Sequence, residues 1–156
     1  MKYIGLAFAI VSLFVFVRFY IRSLRRRRLC YGEISRLINH IGERLKTQRA
    51  PLLGLCADLH CGELKECGFF ALAIEDGKSL EGVECLLMDK DDKERLAEFL
   101  CDFGSGYLDT ELKRTALMAE HFSRRSEAED KECSDKTRLT LLLFCSFAVA
   151  LALLCV

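Results

Sequence analysis

The densest group of chemically capable side chains is Cys56, His60, Cys61 and Cys67. Cys56 and His60 stand four apart, the spacing that puts two ligands on one face of a helix. Thiolate and imidazole are the ligands of structural zinc, but such sites usually draw on two close ligand pairs. Here one ragged cluster stands without a second pair, so the residues read as small buried thiols and no metal is expected. His40 and His121 are isolated and read as polar-face histidines. The pair Asp91-Asp92 reads as ordinary helix-start acid. No phosphate-cradling G-x-x-x-x-G-K-[ST] loop and no G-x-S-x-G elbow occurs. Gly104-Ser105-Gly106 lacks the spacing of a dinucleotide fingerprint. No catalytic residue is assigned, no cofactor is implied, and a non-enzymatic protein is expected.

Composition narrows the class further. The chain has 156 residues and a formal net charge of zero, with 23 basic and 23 acidic residues. A balanced charge argues against nucleic acid as the partner, which favours a basic face. One proline, no tryptophan and many Leu, Ala, Glu, Lys and Arg favour helices. The nine cysteines are an odd count in a long chain, which speaks for reduced thiols packed as small hydrophobes rather than for a disulfide framework.

The acid is unevenly placed. Every Asp and Glu lies between Glu33 and Asp135, and both ends are almost free of it. Tyr3 to Val17 is an uncharged run of fifteen residues, continued after Arg18 by Phe19, Tyr20 and Ile21. A spanning helix needs about 20 mostly apolar residues, and a long basic side chain near its end can snorkel to the headgroups. No small-residue cleavage site follows, so an uncleaved anchor is expected rather than a signal peptide. Leu139 to Val156 is eighteen residues without charge, Gly or Pro. The expectation is therefore three parts: a transmembrane helix at 1–21, a cytoplasmic helical domain at 22–138 and a transmembrane helix at 139–156. Arg22, Arg25, Arg26, Arg27 and Arg28 follow the first span, and Lys136 and Arg138 precede the second. Basic flanks stay on the cytoplasmic side, which puts both termini outside and pairs these residues with lipid headgroups.

The residues between the spans read as a small all-α bundle. Ile34, Leu37, Ile38, Ile41 and Leu45 recur at helical spacing on a helix from Leu29 to about Gln48, with no proline separating it from the first span. Ala50-Pro51 breaks it, and Pro51 suits the first turn of the next helix. That helix carries Leu52, Leu55, Cys56 and Leu59, and Gly62 and Gly68 punctuate the stretch after it. Phe69 to Ile74 reads as buried helix, Asp76-Gly77 as a turn, and Ser79 as the cap of a helix bearing Leu80, Val83, Leu86 and Leu87. A helix starting at Asp89 to Asp92 carries Leu96, Phe99, Leu100 and Phe103 and stops at Gly104. Asp109 is expected to cap a last helix running unbroken to the C-terminus. Its stretch Arg124 to Lys136 is almost wholly polar and reads as a solvated stalk.

This layout resembles stage III sporulation protein AB of endospore-forming Firmicutes over nearly the whole chain. Ala50-Pro51-Leu52 resembles the family's Thr-Pro-Leu step, Leu96 to Gly104 its leucine-rich helix ending in Phe-Gly, and Leu112 to Arg138 its charged stalk. Ala50 replaces the threonine, and the family's Leu-Gly pair is absent from Ser105-Gly106-Tyr107-Leu108-Asp109-Thr110. The resemblance implies a helical domain similar to the F domain of type II secretion platforms. It implies a mother-cell membrane component of the channel to the forespore. The partners would be the cytosolic ATPase called stage III sporulation protein AA and other membrane proteins of the same operon, with self-association left open. Pro51, Leu52, Phe103 and Gly104 are the expected docking residues. The alternative is a generic membrane-tethered helical adaptor for another cytosolic protein.

Overall fold

A computed structural model describes residues 2–47, 52–56, 61–70 and 86–154. The elements are α1 (Lys2–Thr47), α2 (Leu52–Cys56), α3 (Gly62–Glu66), α4 (Lys90–Cys101) and α5 (Leu108–Leu154). The described residues hold no strand, in keeping with the all-α expectation. They group into two units, Arg27–Glu129, and Met1–Arg26 together with Asp130–Val156.

In the unit Arg27–Glu129, the helical repeat on α1 becomes the floor of the core. Tyr31, Ile34, Leu37, Ile38 and Ile41 are fully buried, and Leu45 nearly so. Leu96, Phe99 and Leu100 of α4 and Phe122 of α5 close over them, with Leu64, Phe69 and Leu86. The spacing of three and four residues dictates this, because only that repeat lines one helical face. Helix α5 approaches α1 closely where a β-carbon at Gly42 would come within 3.3 Å of the Thr115 methyl. Helix α4 ends at Cys101, and Gly104 adopts φ +87°, the left-handed geometry that turns the chain toward α5.

Several details differ from the expectations above. Gly62 opens α3 rather than interrupting the chain. Asp109 lies within the first turn of α5 instead of capping it; the Tyr107 carbonyl accepts the first bonds, from the amides of Thr110 at 2.9 Å and Glu111 at 3.0 Å. The stretch Arg124 to Lys136 is not a uniformly solvated stalk, since Glu129 and Cys133 are buried and Arg125 is half-buried. A helix with that many polar residues can bury some of them when a neighbouring helix supplies opposite charge, as α1 does here. The expected Ser79 cap, the Asp76-Gly77 turn and most of the Phe69 to Ile74 helix lie outside the described residues.

The second unit pairs the N-terminal part of α1 with the C-terminal part of α5. The rings of Phe14 and Phe144 sit 6.2 Å apart, and Val17 is buried. Around that contact the surface is apolar, with Phe8 75% and Phe16 68% exposed. Among the described residues no helix is long and apolar enough to cross a membrane. This departs from the two spans expected at 1–21 and 139–156, each of which extends beyond the described residues.

Phe122 is the bulky α5 side chain of the core, fully buried beside a polar stretch. Phe122→Ala is expected to lower unfolding stability by about 3–5 kcal/mol, the cost of a large core cavity. Chemical denaturation of the full chain in detergent, followed by circular dichroism, measures it.

Candidate functional site

The cysteine group is only partly brought together. Cys56 and Cys61 are buried and Cys67 is half-buried, whereas His60 lies outside the described residues. The Glu33 carboxylate reaches this corner and accepts the Leu64 amide at 2.9 Å, which anchors the start of α3 to α1. Burial, then the neighbouring Cys61, pushes the Cys56 thiol up to about 11. Burial, then Glu33, does the same to Cys61, also to about 11. Thiols held so far up stay protonated at neutral pH and are poor nucleophiles. Among the described residues no group of three or more His, Cys, Asp or Glu could hold a metal ion.

The strongest polar constellation was invisible as a unit in the sequence. Arg27 makes a forked pair with Glu129, at 2.9 Å and 2.7 Å, and also reaches both Asp89 oxygens at 3.0 Å. Arg125 bonds Asp92 at 2.9 Å and contacts Asp89. The Tyr31 hydroxyl donates to Asp92 at 2.8 Å and accepts the Asp89 amide at 3.0 Å. The His121 ring nitrogen lies 2.8 Å from the other Asp92 oxygen. Both guanidinium carbons stand over the Tyr31 ring, 5.8 Å and 5.5 Å from its centre, within cation–π range. Three helices and the residue before α4 are tied at one point.

These contacts correct two expectations and add to a third. His121 is not an isolated polar-face histidine, and Asp92, in the first turn of α4 as expected, is also a buried acceptor. Arg27, expected to face headgroups, is half-buried and turned toward Glu129 and Asp89, whereas Arg22, Arg25, Arg26 and Arg28 are exposed, as are Lys136 and Arg138. Asp89 occupies the cap position of α4 without a side-chain capping bond, because its carboxylate serves the two arginines. One signal was present: His121, Arg125 and Glu129 recur every fourth residue on α5, and Arg27 and Tyr31 are four apart on α1. Burial alone would push the Asp92 carboxyl up. The hydrogen bonds from His121, Tyr31 and Arg125 outweigh it and hold the group below the usual carboxylate range. Burial is the main cause that pushes the Tyr31 hydroxyl up to about 12.

Two of the expected docking residues, Phe103 and Gly104, line a concavity. Phe103, Gly104, Gly106, Tyr107, Leu108, Asp109 and Glu111, with Leu45 from α1, line a hollow of about 580 Å³ at the turn from α4 to α5. Glu111 shapes the turn, accepting the Gly106 amide at 3.1 Å. Tyr107, which no pattern in the sequence singles out, is 89% exposed beside it. Leu52 packs against the core and is half-buried, and Pro51 lies outside the described residues.

No protein-family model, curated protein or solved structure matches the chain.

These environments have two measurable outcomes. A depressed carboxylate stabilises the fold above its unfolded value of about 3.9 and loses that contribution as pH falls through its folded value. Asp92→Asn is therefore expected to cost about 3 kcal/mol at pH 7, with the gap from the natural chain shrinking below about pH 4. Denaturant midpoints across pH 3–7 read it. At pH 8, Cys56 and Cys61 are expected to react with a maleimide about a hundredfold more slowly than an ordinary exposed thiol, as peptide-level mass spectrometry of the native chain records.

Proposed function

We propose that this chain is a non-enzymatic membrane platform whose helical lobe, Arg27–Glu129, presents a docking corner to a cytosolic secretion-type ATPase. The observation that carries the reading is the uncovered apolar surface of the other unit. Phe8, Phe16, Phe19, Leu142, Leu143 and Val149 are all more than half exposed there. Water-soluble surfaces rarely gather so many large apolar side chains, and such patches mark membrane or protein interaction. The charge-free stretches within 1–21 and 139–156 belong to this same unit. With these stretches in the bilayer, the exposed Arg22, Arg25, Arg26, Lys136 and Arg138 stand at its cytoplasmic boundary.

The particular role follows from the resemblance in Ala50-Pro51-Leu52, Leu96 to Gly104 and Leu112 to Arg138. It makes the chain a component, similar to stage III sporulation protein AB, of the channel between mother cell and forespore. The ATPase is then stage III sporulation protein AA, alongside the other membrane proteins of that operon. A motor in solution needs a surface fixed in the membrane to act on. A small lobe held at both ends supplies one without chemistry of its own.

Carbonate extraction and terminal reporters test the membrane part. The chain is expected to stay in the membrane fraction, with a reporter at either end exported. A terminus found in the cytosol, or release of the chain by carbonate, overturns it. Co-purification from sporulating cells tests the partner: the ATPase is expected with the full chain. Consistent recovery of an unrelated cytosolic protein in its place replaces this role with that of a tethered adaptor.

A further inference from the structure

The wall of the hollow at the turn from α4 to α5 includes a residue with an unmet demand. Glu111 is only 5% exposed, and its Oε2 is buried without a hydrogen-bond partner. Its other oxygen, Oε1, is occupied by the Gly106 amide. A buried carboxylate oxygen left in this state has lost its water and gained no donor, which is costly. The described residues of the lining supply none. Asp109 adds a second carboxylate, and the rest of that lining is Leu45, Phe103, Tyr107, Leu108 and two glycines, with no basic side chain among the described residues. The nearest-sequence arginine, Arg114, is turned to Asp102 at 2.6 Å.

We propose that this hollow receives an arginine side chain presented by a cytosolic partner protein. The proposal rests on the reading that this corner faces such a partner, and it specifies what the partner must carry. A guanidinium is flat and brings several donors in a fixed fork that suits carboxylates. Gly104 and Gly106 leave the lining without side chains at two positions, which suits a flat group. Tyr107, exposed at the rim, and Phe103 offer ring faces for it to stack on. The last torsion of a glutamate is soft, so the Glu111 carboxylate can turn to a donor entering from the hollow. A divalent cation fits less well: it asks for six or more oxygens, and two carboxylates among carbon-rich side chains fall short.

The test uses the full chain in detergent micelles, with labelled tyrosine rings and leucine methyls. It is titrated with the peptide acetyl-Gly-Arg-Gly-amide and with its citrulline counterpart, which keeps the shape and removes the charge. Saturable shifts at Tyr107 and Leu108 are expected with the arginine peptide, and binding about tenfold weaker or less with citrulline. Glu111→Gln, which can still accept the Gly106 amide, is expected to cost a similar factor. Tyr107→Ala, at a fully accessible position that the core does not use, is expected to cost about two- to fivefold. Equal binding of the two peptides, no saturable binding, or full binding by both variants overturns the proposal. Self-association that the peptide disrupts, and that replacing Arg22, Arg25 and Arg26 by alanine abolishes, puts a second copy in the hollow and also overturns it. Peptide binding without ATPase co-purification refutes the ATPase role and leaves the hollow standing. ATPase co-purification that is indifferent to both variants does the reverse.

Discussion

The lobe depends on a charge cluster that must be complete to be tolerable. Asp92 is 4% exposed, so its carboxylate has given up almost all of its water. Isolated burial of that kind would neutralise the group or open the fold. Tyr31, Arg125 and His121 supply the donors, and each comes from a helix other than α4. Arg27 then ties Asp89 to Glu129 and so extends the same network along α1 and α5. Oil-like packing among leucines and phenylalanines would allow helices to slide by a turn. Directional bonds to one buried carboxylate do not, because a shifted helix leaves a charge unmet. The apolar core supplies adhesion, and this cluster sets the alignment.

That alignment positions the hollow at the other end of the lobe. Leu45, one of its walls, lies on the face of α1 that the core fixes, and Glu111 lies on α5 four residues before Thr115, whose methyl meets Gly42. The corner is thus built on two registered helices and a glycine-turned connection, with little freedom of its own. A surface made this way is preformed, so a partner that docked there would not have to spend binding energy on ordering it.

Sequence made some of this legible and hid the rest for physical reasons. The buried face of α1 could be read off because Ile34, Leu37, Ile38, Ile41 and Leu45 follow the helical period, and burial of one face is a local property of the sequence. The left-handed turn at Gly104 could be read because that geometry favours glycine, although α4 itself ends sooner, at Cys101. A docking surface was expected at Phe103 and Gly104, and these residues line a hollow, but its exposed tyrosine and its starved carboxylate were not foreseen. Charged residues gave the poorest reading. Arg124 to Lys136 looks uniformly polar, and composition cannot say that Arg125 and Glu129 face inward while Glu127 and Asp130 are exposed. Their partners stand 36 and 102 residues away, beyond any periodicity.

The separation of Arg27 from Glu129 by 102 residues also orders events during synthesis. At translation rates of about 5–20 residues per second, about 5–20 s pass between the making of the one and of the other. Through that interval α1 can wind, since its hydrogen bonds are local, but Arg27 lacks the Glu129 half of its pairing until the end, and the leucine face has no complete α5 to cover it. The nascent lobe is thus a half-built object on the ribosome, with its stickiest helix formed first and its lid translated last. Shielding of that helix during the wait falls to the translation apparatus or to the bilayer next to it.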